Sequence, residues 1–198
     1  PFQSLSVSVV VAPTTLGSIT GNTAPCSASS NTYSVAAANG ATSYTWTLQG
    51  SWTGTSTTNS ISAIPGATGG NISVAANNSC GSSAQQTLAV TVNTVPEMPQ
   101  AIVGSESICK GSSNTYSIIA VNGATSYGWT FPGGWTGTSK TTDITLKASV
   151  NSGNISVVSK NNCGSSTAQT LIVTVGSVPA TPETISGNAD VCAGSETT

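Results

Sequence analysis

Histidine and arginine are both absent from this sequence, and only 5% of its 198 residues are charged. Histidine is the commonest general base and a frequent metal ligand, so its absence argues against the usual catalytic and metal sites. The six acidic residues do not recur at matching positions of the repeat described below, and the cysteines are too far apart for a local zinc site. We therefore expect a protein that is not an enzyme and that uses no cofactor and no metal.

Clustered basic residues and long apolar runs are missing as well. The net charge is −2 and the four lysines are scattered, whereas phosphate neutralisation needs grouped lysine and arginine side chains. No apolar run has the length needed to cross a membrane. We expect no nucleic-acid binding and no membrane span in this segment. No stretch shows sustained helical periodicity, which argues against long amphipathic helices.

What the sequence does contain is a long repeat, whose period is the interval from Cys26 to Cys109. The same interval separates Cys109 from Cys192 and Cys80 from Cys163. The large aromatic residues keep the register: Trp46 with Trp129, Trp52 with Trp135, Tyr33 with Tyr116 and Tyr44 with Tyr127. Repetition this close over a whole module indicates tandem copies of one structural unit.

Both ends of the chain keep the same register. The start matches the end of the first repeat, which predicts that residues 1–12 are the last strand of a preceding repeat. Residues 183–198 match the opening of the second repeat and predict the start of a third. We place repeat 1 at residues 17–93 and repeat 2 at residues 100–176, with linkers at residues 13–16, 94–99 and 177–182. We therefore expect the chain to be part of a longer array of repeats.

The composition of each repeat predicts an all-β fold. Val, Ile and Thr recur in short alternating runs that are bounded by Gly- and Asn-rich turns. In repeat 1 the predicted strands are residues 17–21, 31–37, 42–48, 51–54, 58–63, 70–77 and 85–92. About seven short strands with a turn roughly every 8 to 12 residues is the pattern of an immunoglobulin-like β-sandwich. We expect two such sandwiches arranged end to end.

Prolines mark the two junctions. They lie in Val95-Pro96-Glu97-Met98-Pro99 and in Val178-Pro179-Ala180-Thr181-Pro182. Prolines spaced three residues apart favour an extended and semi-rigid backbone. We predict that these linkers hold successive repeats in line, and the alternative is an ordinary interdomain connection without special stiffness.

Five segments of repeat 2 carry a family resemblance. They are Cys109-Lys-Gly-Ser-Ser-Asn-Thr-Tyr-Ser117, Ala124-Thr-Ser-Tyr-Gly-Trp-Thr130, Gly153-Asn-Ile-Ser-Val157, Asn161-Asn-Cys-Gly-Ser-Ser166 and Leu171-Ile-Val-Thr-Val175. With these segments the chain resembles the PKD-like, immunoglobulin-type repeats of large surface proteins in gliding and type IX-secreting Bacteroidota. The resemblance implies a stalk or adhesin segment exported to the cell surface, and it implies no particular ligand.

The cysteines suggest a disulfide framework, because two per repeat in a secreted protein commonly pair. Pairing within each repeat, Cys26 with Cys80 and Cys109 with Cys163, is favoured because each unit could then fold alone. Each such bond would close a loop of about 54 residues, worth on the order of 4 kcal/mol. The alternative joins Cys26 to Cys163 across the junction, because the first turn and the last hairpin of a standard sandwich lie at opposite ends.

The tryptophans fall into two pairs. Trp46 and Trp129 lie in mid-strand and are predicted to be core residues. Trp52 and Trp135 follow Gly-rich turns, where packing over the end of the sandwich is the favoured interpretation. They are also the candidates for a partly exposed surface that stacks on glycans, together with Tyr44 and Tyr127.

Three functional hypotheses follow from these patterns. The leading one is a non-catalytic structural repeat segment of an extracellular surface adhesin, stalk or filament, whose partners are neighbouring repeats and other copies in a fibre. The second is a module that binds a glycan or a surface through exposed aromatic residues, with avidity from repetition. The third is a filament subunit that assembles by strand complementation.

Overall fold

The computed structural model describes residues 8–177, 179–186 and 193. Residues 1–7 of the predicted preceding strand lie outside the described residues, as does most of the predicted third repeat with Cys192. The described residues form β-strands, turns and irregular segments, and none of them is helical. The all-β prediction is confirmed.

Repeat 1 is built from two sheets. The strands of this repeat are β1 (Asn31–Ser34), β2 (Ser43–Leu48), β3 (Ser60–Ala63), β4 (Gly70–Asn78), β5 (Gly81–Ser82) and β6 (Gln86–Val90). In the first sheet β1 pairs antiparallel with β3, and Thr20 adds a single bridge to Ser34. In the second sheet β4 is central, because β2 pairs along one of its edges and β6 along the other.

Repeat 2 has the same plan. Its strands are β7 (Ser107–Cys109), β8 (Ser113–Ser117), β9 (Ser126–Thr130), β10 (Asp143–Lys147), β11 (Gly153–Asn161), β12 (Gly164–Ser165) and β13 (Gln169–Gly176). The first sheet pairs β8 with β10. In the second sheet β9 and β13 flank β11, and β7 joins β13 as a parallel edge strand.

The parallel edge strand is an element that the sequence pattern did not predict, as are the two-residue strands β5 and β12. Three residues form β7, and its counterpart in repeat 1 is a single parallel bridge between Cys26 and Asn93. So short a segment cannot show the alternation that identifies a strand. It is nevertheless important, because it carries the first cysteine of each repeat to the end of the last strand.

Each repeat has its own hydrophobic core between its two sheets. The buried residues recur in pairs that are one repeat period apart: Tyr33 and Tyr116, Ile61 and Ile144, Ile72 and Ile155, Val74 and Val157, and Val90 and Val173. Alternate strand residues point to the same face, which is why one side of each longer strand supplies the core. The tyrosines at the centre donate hydrogen bonds from their hydroxyls to the carbonyls of Asn22 and Ser105, at 2.9 and 3.1 Å.

Candidate functional site: the junction between the two repeats

A disulfide bond crosses the junction. Cys26 of repeat 1 is bonded to Cys163 of repeat 2, with their Cα atoms 5.4 Å apart and a sequence separation of 137 residues. Both side chains are half-buried. The bond therefore ties the first strand segment of one repeat to the last hairpin of the next.

Cys26 is positioned by the end of the last strand of its own repeat. Asn93 donates its backbone N–H to the Pro25 carbonyl at 2.9 Å, and Ser27 donates to the Asn93 carbonyl at 2.8 Å. The chain then turns at Ala28, which has a φ of 60°. This parallel pairing places Cys26 at the end of repeat 1 that leads into the linker.

Cys163 is positioned by the turn between β11 and β12. Its backbone N–H donates to the Asn161 side-chain oxygen at 2.8 Å. The Asn161 amide group in turn donates to the carbonyls of Thr94 and Gly123, at 2.8 and 3.2 Å. The turn is thereby bonded to the first residue of the linker, and Cys163 faces the end of repeat 1.

The favoured prediction of pairing within each repeat is wrong for this structure, and the alternative is the one observed. In repeat 1, Cys26 lies beside Asn93, just beyond the Gly70 end of β4, whereas Cys80 lies just beyond the opposite end. The 9 residues of β4 correspond to about 30 Å at ~3.3 Å per residue, far beyond the ~7 Å that a disulfide spans. Cys80 and Cys109 are consequently exposed free thiols among the described residues, not the disulfide members that were predicted.

The linker is packed onto repeat 2. Pro96 and Pro99 are buried, and the Ser159 hydroxyl, which is itself fully buried, donates to the Glu97 carbonyl. Gly164 allows the close approach at this point, because a Cβ on it would lie 3.2 Å from the Val95 side chain. Together with the disulfide, these contacts give the junction both a covalent and a hydrogen-bonded connection.

A shallow cavity of about 400 Å³ opens at the same junction. Its walls come from the last strand of repeat 1, the linker and the turns of repeat 2: Val92, Asn93, Thr94, Val95, Pro96, Glu97, Val121, Asn122, Gly123 and Asn161. Glu97 is the one ionisable group among these wall residues. The cavity therefore offers no pair of titratable groups for acid–base catalysis.

Trp52 and Trp135 are buried, which corrects their candidacy as exposed glycan-stacking residues. Only 8% and 5% of their surfaces are exposed, and their indole N–H groups donate to the carbonyls of Thr68 and Asn151 at 3.0 and 2.8 Å. The Trp52 ring also packs against Tyr33, with centroids 6.5 Å apart. The glycine-rich turn before each tryptophan brings the ring into the buried cluster of its repeat instead of into solvent.

Tyr44 and Tyr127 are buried as well. Their hydroxyl oxygens accept the backbone N–H groups of Ala38 and Val121, each at 2.8 Å. None of the four aromatic residues of the glycan hypothesis therefore presents a free ring face. The predicted core residues Trp46 and Trp129 are half-buried, and they pack at the margin of the two cores.

Burial also changes the acidity of the two central tyrosines. Removal from water disfavours the charged phenolate, so it raises the pKa of Tyr33 and of Tyr116 above the ordinary value of 10.0. Both hydroxyls remain protonated donors at neutral pH.

Metal ligands and membrane spans are two further features that could define a site. Within residues 8–177 and the short described segments after them, no three His, Cys, Asp or Glu side chains are grouped as a metal site would require. The part of the chain that the structure describes also contains no helix of the length and apolar character of a membrane span.

Two stacked sheets per repeat, a parallel edge strand beside the last strand and tandem repetition together define a protein of immunoglobulin-like β-sandwiches. The family model described as "PKD-like domain" matches residues 12–90 and 95–173. The chain therefore belongs to the PKD-like domain family. Immunoglobulin-like domains of this kind are typically non-catalytic structural modules. Together with a disulfide, they are typical of extracellular proteins.

Several solved structures are similar to this chain. A C-terminal 282-residue fragment of intimin, in complex with the intimin-binding domain of the translocated intimin receptor, shares 16% identity over 81% of this chain and 64% of its own, with a TM-score of 0.48. Titin domains A168–A170 share 17% identity over 83% of this chain and 62% of theirs, with a TM-score of 0.45.

The Escherichia coli adhesin FdeC shares 14% identity over 84% of this chain and 65% of its own, with a TM-score of 0.29. The chain thus spans just under two thirds of the length of each of these three structures. No curated protein matches the chain.

Proposed function

We propose that this chain is a non-catalytic structural segment of an extracellular surface protein, in which the repeats act as a stalk. The observation that carries the proposal is the Cys26–Cys163 bond, which joins two separately folded units across their linker. A bond between modules does little for catalysis inside either one. It limits how far the two units can bend or separate, and that is what a spacer under tension requires.

The linker contacts support the same role. Ser159 and Asn161 bind the linker backbone at Glu97 and Thr94, so the connection runs along the surface of repeat 2. A docked linker has fewer conformations than a free one of the same length, and Pro96 and Pro99 restrict it further. The stiffness expected from the proline spacing thus has a physical basis beyond the prolines themselves.

The cellular setting that we propose is the surface of a Bacteroidota-type cell, reached by type IX secretion, in an adhesin or filament. The motifs of repeat 2 suggest this setting, and membership of the PKD-like family is compatible with it. A disulfide at the junction needs an oxidising compartment, which an exported protein meets.

The test compares two serine variants by small-angle scattering of the full chain. Cys26→Ser/Cys163→Ser removes the junction bond, and Cys80→Ser/Cys109→Ser is the matched control that removes the two free thiols. We expect the control to keep the distance distribution of the oxidised protein and the junction variant to show a broader one. If the oxidised protein already samples widely separated and folded-back arrangements, the stalk proposal fails.

Strand complementation remains a separate prediction. Residues 8–12 lie near the turn after β4, where Asn78 donates to the Val11 carbonyl at 2.7 Å, but they form no strand. The glycan hypothesis has lost the aromatic residues on which it rested, because all four are buried.

A further inference from the structure

The repeat register assigns positions to the two free thiols. Cys109 is the counterpart of Cys26, and Cys80 is the counterpart of Cys163, each displaced by one repeat period. The bonded pair therefore consists of the first cysteine of one repeat and the second cysteine of the next. Cys109 and Cys80 are the first cysteine and the second cysteine that have no neighbouring repeat among the described residues.

The surroundings of Cys109 reproduce those of Cys26. Cys109 pairs in parallel with Gly176, as Cys26 does with Asn93, and Lys110 donates to the Gly176 carbonyl at 3.4 Å. The Ser112 hydroxyl donates to the Cys109 carbonyl at 2.7 Å, as the Ser29 hydroxyl does to that of Cys26. Cys109 is exposed and lies beside the end of the last strand of repeat 2, which is the position that Cys26 has in repeat 1.

The surroundings of Cys80 reproduce those of Cys163 in the same way. Asn78 accepts the Cys80 backbone N–H at 2.8 Å, and its amide group donates to the carbonyls of Val11 and Gly40 at 2.7 and 3.0 Å. Asn161 makes the corresponding bonds around Cys163. The Cys80 thiol also lies 3.1 Å from the Val10 carbonyl oxygen.

That last contact points directly to the missing partner. Val10 is the counterpart of Asn93, the residue that lies beside Cys26 at the stapled junction. Residues 10–12 therefore lie on repeat 1 as residues 93–95 lie on repeat 2. The first cysteine of a preceding repeat, held beside Val10, would be next to the Cys80 thiol.

We propose that Cys80 and Cys109 are the two halves of the same junction bond, each paired with a cysteine of the adjoining repeat, so that every junction of the array is stapled. Each bond forms by thiol–disulfide exchange with an extracellular small-molecule or protein disulfide. The two repeat thiols lose two protons and two electrons as their S–S bond forms, and the incoming disulfide accepts them and leaves as two thiols. The proposal rests on the register and the contacts, not on the proposed stalk function.

Stapling at every junction would interlock the repeats. The loop closed by Cys26 and Cys163 contains Cys109, and the loop closed from Cys109 would contain Cys192, so successive loops overlap. A pulling force applied to the ends of the array would pass through the disulfide bond from Cys26 to Cys163. The segment from Cys163 to Cys192 would then be the part that can extend. Fully extended, this segment spans at most ~100 Å, whereas two repeats without these disulfides could extend to ~570 Å.

The test completes the third repeat. The full chain is extended after Thr198 by a copy of residues 116–176, which continues the register and adds one cysteine equivalent to Cys163. The oxidised protein is alkylated, digested without reduction and mapped by mass spectrometry. We expect Cys26 joined to Cys163, Cys109 joined to the added cysteine, and Cys80 and Cys192 alkylated.

Two further variants make the result decisive. Replacing the added cysteine by serine should return Cys109 to full alkylation while Cys26–Cys163 stays intact. A second chain, extended before Pro1 by a copy of residues 11–83, should join Cys80 to the added counterpart of Cys26. A bond between Cys192 and the added cysteine, or alkylation of Cys109 in the first chain together with Cys80 in the second, overturns the proposal. Neither outcome depends on whether the array is a stalk.

Discussion

Removing the junction bond should destabilise both repeats, although each has its own core. If repeat 1 unfolds while repeat 2 stays folded, the bond still closes the loop from Cys26 to the docked linker at Thr94. A closed loop of about 68 residues corresponds to about 4 kcal/mol of unfolded-state entropy. If repeat 2 unfolds alone, the loop from Asn93 to Cys163 has nearly the same length, so the expected loss is again about 4 kcal/mol.

Unfolding of the whole chain gives a second figure. The separation of 137 residues between the bonded cysteines corresponds to about 5 kcal/mol when both repeats are unfolded. The total is close to the single-repeat figure because loop entropy grows only with the logarithm of the loop length. A single bond should therefore raise the unfolding free energy of either repeat by almost the same amount.

Urea titration followed by tryptophan fluorescence measures this effect, because each repeat has a buried tryptophan at its core. Cys26→Ser/Cys163→Ser should lose about 4 kcal/mol, and reduction of the unmodified protein should reproduce that loss. The matched variant Cys80→Ser/Cys109→Ser changes two exposed residues and should stay within about 0.5 kcal/mol of the parent. Equal midpoints for the two double variants would refute the reasoning.

Three other predictions test the core and the linker. Trp52→Ala should lower the free energy of unfolding by about 3 to 5 kcal/mol, measured by calorimetry, because it empties a buried site. A variant that lost binding to a ligand but kept its stability would contradict this prediction. Tyr33 and Tyr116 stabilise the fold as buried neutral phenols, and this stabilisation should be full below pH 10.0 and be lost as the pH rises through their raised folded-state pKa. Alkaline unfolding of Tyr33→Phe measures the contribution of Tyr33. An alkaline transition at the same pH as in the parent protein contradicts the prediction. Asn161→Ala removes the hydrogen bond from repeat 2 to the linker carbonyl of Thr94, together with one to Gly123 inside repeat 2, and should speed amide exchange in the linker. Asn78→Ala should leave that exchange unchanged.

Strand assignment shows how far sequence patterns extend. The alternating runs near residues 43–48 and 70–78 became strands because alternation, turn residues and burial agree there. The predicted strands at 17–21 and 51–54 are reduced to single bridges at Thr20 and Thr53. Those segments lie at sheet edges, where pairing depends on the backbone groups of the neighbouring segment and not on the local sequence pattern.

The tryptophans show a different limit. Trp52 follows a glycine-rich turn, and that local signal is shared by exposed loops and by loops that fold back over a core. Its burial follows from the position of Tyr33 and of the Thr68 carbonyl, which are distant in sequence. Periodicity cannot supply that information, because the ring belongs to no strand.

The sequence by itself determined the repeat period, the β-sandwich class and the number of cysteines per repeat, because periodicity and composition are local properties that repetition makes visible. Only the tertiary structure decided which cysteines meet. A disulfide requires Cα atoms within ~7 Å of each other, and that distance depends on the single parallel bridge between Cys26 and Asn93 and on how the linker docks on the next repeat. Both are contacts between segments far apart in the chain, which is why the expectation that each repeat folds alone favoured one pairing and the fold selected the other.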